Sequence, residues 1–210
     1  MGFDSATYWE KRYRSGRKAG AGSYGLLAHM KAAFVNRFVE ANAITSILDL
    51  GCGDGFQTSL LVGIPYLGVE ISPTILAQLH KSCEDPPSRR FVLLDALVGE
   101  SRRDLGLSLD VVYTLVEDDV FAAHLRRLFL YARRCVIIYS SNKDIPYAGS
   151  HIRHRRFTDF VAAELPEWRL VAHVPNPYPL DARRLAETSF ADFFVFAAAG
   201  EDAQVPIYAD

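Results

Sequence analysis

A chain of 210 residues, half of them hydrophobic, with a formal net charge of −2, has the length of one α/β domain and enough apolar content for a sizeable core. Its 23 basic and 25 acidic side chains leave no electrostatic footprint for bulk nucleic acid. No apolar stretch approaches a membrane span, the start Met1-Gly2-Phe3-Asp4 lacks a basic-then-apolar leader, and Cys52, Cys83 and Cys135 are too few and scattered for a disulfide framework or a Cys-x-x-Cys metal site; together these features predict a soluble, cytoplasmic protein that neither meets a membrane nor holds a metal.

In chain order, residues 7–13 read as a short helix, and the glycines and charges of 15–25 read as a mobile loop. Residues 1–45 as a whole form an N-terminal arm and helix, the arm being a candidate lid. Leu27, Met30, Phe34 and Phe38 recur at helical spacing across 26–41 and predict an amphipathic helix packed on a sheet. The core of the predicted single domain, 46–210, opens with an apolar strand that turns sharply at Gly51-Cys52-Gly53-Asp54-Gly55. Glycine there removes the Cβ, so the chain can take positive φ and a ligand can approach the backbone closely. A second strand, 66–70, ends in Glu70, and Ser72 and Pro73 then read as N-cap and first residue of a helix. A third, 91–94, ends in Asp95-Ala96, and a fourth is predicted over 110–116. Glu117, Asp118 and Asp119 then suit the N-terminus of a helix bearing Phe121, His124, Leu125 and Leu128, and this reading is favoured over metal ligation. A fifth strand, 135–140, precedes a long loop and the polar cluster Ser150-His151-Ile152-Arg153-His154-Arg155-Arg156-Phe157. Thr158 reads as the cap of a helix stopped near Pro166, and 168–173 and 193–198 read as final strands. Such alternation argues for a largely parallel sheet with helices on both faces and ligands at the carboxyl strand ends.

The spacing of the glycines separates two nucleotide ligands. A dinucleotide fingerprint, Gly-x-Gly-x-x-Gly/Ala, needs a small residue where this chain has Phe56. The run Asp49-Leu50-Gly51-Cys52-Gly53-Asp54-Gly55 instead resembles motif I of the class I S-adenosylmethionine (SAM) methyltransferases. That resemblance implies a Rossmann-like, doubly wound, mostly parallel seven-stranded sheet with a reversed C-terminal hairpin, and SAM as cofactor. It assigns Glu70 to the ribose hydroxyls and Asp95 to the adenine amino group, with Asp49, Gly51, Gly53, Gly55, Ile71, Ala96 and Val116 completing the cofactor set. The Tyr-Trp-Glu, Arg-Tyr and Gly-Ser-Tyr-Gly stretches of the arm, with the His-Arg-rich segment after the fifth strand, are similar to those of small stand-alone bacterial members. By that likeness the arm closes over SAM, with Arg12 and Tyr24 at the cofactor and Trp9, Tyr13 and Ser23 near the acceptor. Simple packing of an N-terminal helix is the alternative for Trp9 and Tyr13.

Methyl transfer from a sulfonium asks the protein mainly to position, desolvate and sometimes deprotonate the acceptor. His151 and His154 are candidates to take a hydroxyl proton, His154 being favoured, while Arg153 and Arg155 could pair with phosphate or carboxylate on the acceptor; Tyr139 joins the acceptor set. The opposing view of this cluster is a solvated basic turn. The fourth loop has no Asn-Pro-Pro-Tyr type of motif, which disfavours adenine and glutamine-amide acceptors. The expected activity is therefore O-methylation of a small polar or anionic molecule, such as a sugar, a glycan-linked phosphoryl group or a natural product. The competing readings are an NAD-dependent oxidoreductase, which Phe56 argues against, and a SAM-binding module without turnover.

Overall fold

The computed structural model describes residues 3–82, 88–146 and 151–207; Cys83 and Ser150 lie outside the described residues. Asp4 accepts from the Thr7 backbone N–H at 2.5 Å and so starts α1 (Ser5–Arg14), whose last turn carries Lys11, Arg12 and Arg14. In α2 (Gly25–Ala41) the Leu27, Met30, Phe34 and Phe38 side chains are buried as their spacing predicts, and so is Lys31. Next come β1 (Ile47–Leu50), the single turn α3 (Phe56–Ser59) and β2 (Tyr66–Glu70). Ser72 Oγ accepts from the Ile75 N–H at 3.2 Å at the head of α4 (Pro73–Ser82), which bears out the predicted cap. The chain continues through β3 (Arg89–Leu93), β4 (Arg103–Leu109), α5 (Asp118–Tyr131), β5 (Ala132–Ser140), α6 (Phe157–Glu164), β6 (Trp168–Val174) and β7 (Asp192–Ala198).

These strands form one sheet in the order β3-β2-β1-β4-β5-β7-β6. The first five are parallel, and β7 runs antiparallel to both β5 and β6. The predicted doubly wound sheet with its reversed hairpin is therefore the observed one. Successive side chains of a strand face opposite layers. Along β5, Cys135, Ile137 and Tyr139 pack in the layer of α2, whereas Val136 and Ile138 join Leu125, Leu128 and Phe129 of α5 and Phe157 and Val161 of α6. Both faces are thus covered, as a parallel sheet requires.

The structure corrects three local expectations. The fourth strand is 103–109, one element earlier than the β-branched run of 110–116 suggests, and Val112–Thr114 is a short 3-10 turn. Tertiary partners override propensity here. Asp104 anchors the true strand by accepting from Thr45 N–H at 2.9 Å and Thr45 Oγ1 at 2.5 Å and by pairing with Arg133. Gly106 also lets α5 close in, since a Cβ there would lie 3.1 Å from Ala132 Cβ and 3.2 Å from Leu128 Cδ1. Asp95 and Ala96 lie in a 3-10 turn, Leu94–Leu97, beyond the end of β3. Thr158 is inside α6 rather than its cap; Asn142 Oδ1 accepts from the Thr158 N–H at 3.2 Å and does the capping from another segment.

Candidate functional site

A cavity of about 430 Å³ opens at the carboxyl ends of β1, β2 and β4. Its floor is the glycine turn. Gly51 has φ +96°, and a Cβ on it would stand 2.6 Å from Val111 Cγ2; Gly53, at φ +61°, would bring its Cβ to 3.5 Å from Tyr13 Oη. A side chain at either position would strain the backbone, and at Gly51 it would also collide with the next strand tip. At the tip of β2, Glu70 is buried on the cavity wall and accepts from the backbone N–H groups of Gly53 (3.0 Å), Ile71 (2.8 Å) and Ser72 (3.1 Å). Burial raises its pKa above the usual carboxylate value, and these three bonds oppose the rise. A second cavity of about 350 Å³ shares Leu50, Ile71, Leu94, Leu115 and His124 with the first, an apolar slot at the junction next to the Glu70 strand tip, and opens outward past Asp4, Glu117, Asp119 and Arg127. His124 is neutral there, its pKa pushed down to about 3 by burial and by Arg127, and its Nε2 lies 2.9 Å from Ser108 Oγ.

The arm covers this site. Tyr8, Trp9, Arg12, Tyr13 and Ser23 all line the cavity. Two carboxylates on opposite sides tie α1 down: Glu117 accepts from Ser5 N–H at 2.6 Å and Ser5 Oγ at 2.5 Å, and Glu10 accepts from Ser72 Oγ at 2.5 Å and Thr74 Oγ1 at 2.6 Å. Arg12 lies over the Trp9 ring and donates from Nε to the Lys18 carbonyl at 2.7 Å. Tyr24 is set back from the wall, its hydroxyl bonded to Asp54.

The other residues singled out in the sequence divide. Ile71 and His151 line the cavity, His151 stacked on Tyr8 with ring centroids 5.1 Å apart. Burial and the charge of Arg12 lower the His151 pKa. His154 turns away: it is buried, its Nδ1 lies 2.7 Å from Ser141 Oγ, and its ring stands edge-on to Phe190. Of the two candidate bases the sequence favours His154, but it is the His151 ring that lines the cavity, while the core takes up that of His154. The arginines are likewise spent within the protein. Arg153 donates to the Val116 carbonyl at 2.9 Å and pairs with Asp118 at 3.0 Å. Arg155 donates to the Leu115 and Val116 carbonyls, both at 2.6 Å, pairs with Asp118 at 3.2 Å and lies over Phe121. Neither lines the cavity, so the basic segment is a clamp on the turn after β4 rather than an anion site. Val116 offers its carbonyl to that clamp, and Asp95 and Ala96 are exposed beyond Leu94. Tyr139 is fully buried in the α2 layer and is not on the wall. Asp49 is buried beneath the glycine turn; Tyr66 donates to it at 2.8 Å, its other oxygen has no hydrogen-bond partner, and burial pushes its pKa up to about 6.

The sequence reading passed over Asp110, which lines the cavity at the tip of β4 with φ +65°, and Lys31, which pairs with it from α2. Two signals pointed there. Asp110 is an acid ending an apolar run, as Glu70 is, and Lys31 falls four residues after Leu27 and three before Phe34, on the apolar face of its helix. Among the described residues no three His, Cys, Asp or Glu side chains gather as a metal site, and no helix is long and apolar enough to cross a membrane.

No protein-family model matches this chain, and no curated protein matches it by sequence. Solved structures do match. The CcbJ methyltransferase from Streptomyces caelestis superposes with a TM-score of 0.68 at 16% identity, over 94% of this chain and 100% of that one. Magnesium protoporphyrin IX methyltransferase from Synechocystis PCC 6803, with bound SAM, gives 0.67 at 14% identity over 95% and 99%. The N-methyltransferase NodS from Bradyrhizobium japonicum WM9, in complex with S-adenosyl-L-homocysteine, gives 0.68 at 13% identity over 94% and 100%. In strand order, strand sense and extent, this chain has the fold of the class I SAM-dependent methyltransferases.

Proposed function

We propose that the chain is a SAM-dependent methyltransferase that methylates a hydroxyl oxygen of a small molecule. One observation carries this reading: a buried carboxylate, Glu70, and a turn that only glycine can make, Gly51 to Gly55, converge on a single cavity with an apolar slot beside it. The residues present fit the cofactor. Glu70 retains lone-pair capacity that would serve a ribose hydroxyl, Ile71, Leu94 and Leu115 would hold the adenine with Asp95 and Ala96 in the turn that follows, and Gly51, Gly53 and Arg12 would hold the amino-acid portion. Asp49 and Tyr24 act one layer back, supporting the turn and the Asp54 side chain.

SAM supplies a methyl group on a sulfonium, a leaving group already activated by its charge. What remains for the protein is to bind, orient and dry the acceptor. Tyr8, Trp9 and Tyr13 line the cavity from the arm and would shield the acceptor from water. Neutral His151 on the same wall holds an acceptor lone pair for the hydroxyl proton, and its lowered pKa keeps it unprotonated near pH 7. The proposed acceptor is a small molecule, and the proposed compartment is the cytoplasm.

Calorimetry tests the cofactor reading. SAM and S-adenosylhomocysteine should bind the wild type with micromolar Kd, and Glu70→Gln should weaken both by roughly 10- to 100-fold, since an amide presents one acceptor oxygen where the carboxylate presents two. NAD binding in place of SAM would overturn it. Labelled SAM incubated with fractionated extract should then yield an O-methyl product by mass.

A further inference from the structure

Asp110, Lys31 and Tyr113 form a group outside the proposed cofactor set. Asp110 directly follows β4, two strands from β2 and Glu70 in the order β2-β1-β4, and neighbouring strands lie about 4.8 Å apart, so the two strand ends stand about 10 Å apart. Tyr113, bonded to Asp110, meets Phe190 edge-to-face at 4.9 Å between centroids, and Leu109, Leu180 and Leu185 line the same cavity together with Thr188 and Ser189.

Three features show that the Asp110 carboxylate is held for use. The backbone adopts φ +65°, a conformation uncommon for non-glycine residues. The arm leaves it room with a glycine, because a Cβ on Gly22 would lie 2.9 Å from Asp110 Oδ2. Lys31 neutralises it from behind while wholly buried over the Tyr139 ring, and Tyr113 Oη donates to its other oxygen at 2.9 Å. A buried ion pair is weak support for stability, since apolar residues of similar volume often serve as well or better. Asp110 lines the cavity, and its carboxylate offers acceptors only. Arg12 is the single Lys or Arg among the described lining residues, against Asp54, Glu70 and Asp110.

We infer that Asp110, set by Lys31 and Tyr113, determines acceptor specificity: it takes a hydrogen bond from the acceptor and selects a neutral or cationic molecule with an apolar body over an anionic one. This rests on the methyltransferase reading and narrows it, replacing the anionic acceptor that Arg153 and Arg155 suggest in the sequence with one that donates to a carboxylate.

Four probes of one shape separate the possibilities: 2-phenylethanol, 2-phenylethylammonium, phenylacetate and phenyl phosphate, each titrated into the wild-type complex with S-adenosylhomocysteine. The alcohol and the ammonium should bind at least about tenfold more tightly than the two anions. Asp110→Asn suits the positive φ but strands the Lys31 charge, so Asp110→Asn with Lys31→Met is the companion variant; in it the preference should shrink to within about twofold while S-adenosylhomocysteine affinity stays within about threefold. Anions bound as well as or better than the alcohol, or no probe retained, overturns the inference and leaves the cofactor reading standing. So does a loss of more than about tenfold in cofactor affinity in the variants, which would assign Asp110 to the cofactor's ammonium. Failure of the wild type to bind S-adenosylhomocysteine at all overturns the cofactor reading itself and this inference with it.

Discussion

Asp49 and Glu70 are both buried carboxylates, yet they carry different burdens. Three backbone N–H groups satisfy Glu70, whereas Asp49 has one donor, Tyr66, and an oxygen without a partner. Burial raises the Asp49 pKa to about 6 from 3.8. A carboxyl whose folded pKa exceeds its unfolded value binds its proton more readily when folded, so its contribution to stability is full below the unfolded value and is lost as pH rises through the folded one. Wild-type stability relative to Asp49→Asn should therefore rise by about 1 kcal/mol on going from pH 7 to pH 5, measured by urea unfolding; a pH-independent difference would mean that Asp49 is not so perturbed. The two histidines separate in the same way. His151→Ala should lower turnover by about 100-fold with SAM affinity unchanged, while His154→Ala should cost about 1–2 kcal/mol of stability through lost contact with Ser141 and Phe190 and spare the chemistry. Equal turnover in wild type and His151→Ala would remove that ring from the reaction. At this scale the positions of Glu70 and the glycines were legible because they follow from strand ends and backbone geometry. His154 and Arg155 were not, because a polar residue's partner is chosen by the fold, and both found theirs inside the protein.

The element that covers the cavity is α1. Its own sequence gives it a cap and basic residues in the last turn, but Glu117 from the loop after β4 and Ser72 and Thr74 at the head of α4 hold it over the cavity. Hydrogen bonds from Ser72 and then Thr74 depress the Glu10 pKa, so this tie is complete at neutral pH and fails as pH falls through the lowered value. Replacing both carboxylates, Glu10→Gln with Glu117→Gln, should speed amide exchange across residues 5–14 and weaken SAM binding by about tenfold. Unchanged exchange would show that the strap is held by packing alone. The helix itself was legible from 7–13, as were α2 and the Ser72-Pro73 start of α4. The fourth strand was misplaced because Val111, Val112 and Thr114 carry the stronger β propensity, whereas pairing beside β1 and β5, set by Asp104 and Gly106, selects the segment before them.

On the scale of the whole molecule, the sheet order brings segments far apart in sequence to one cavity. The reversal from β1 toward β2 on one side and β4 on the other opens a crevice at their carboxyl ends, where doubly wound sheets bind ligands. Into that crevice come α1 from the N-terminus, Asp110 from the middle and the Leu180 to Phe190 loop between β6 and β7. The two layers of the sheet serve unequally. The α5 and α6 layer is apolar packing, whereas the α2 layer embeds Lys31 beneath Asp110 and beside Tyr139. That charge within the core links the helix following the arm to the Asp110 side of the cavity.

The amino-acid sequence by itself determined the alternation of strands and helices, the glycine turn, the acid at the tip of β2 and the exclusion of a dinucleotide fingerprint by Phe56, because each depends on local backbone geometry or on neighbours a few residues away. The tertiary structure alone decided which polar side chains reach the cavity. Arg153, Arg155 and His154 are taken up by carbonyls, Asp118 and Ser141, while Asp110, backed by Lys31, and the 180–190 loop meet at the cavity from positions no local pattern connects. Long-range pairing sets a side chain's partner, and a buried polar group takes whichever partner satisfies it.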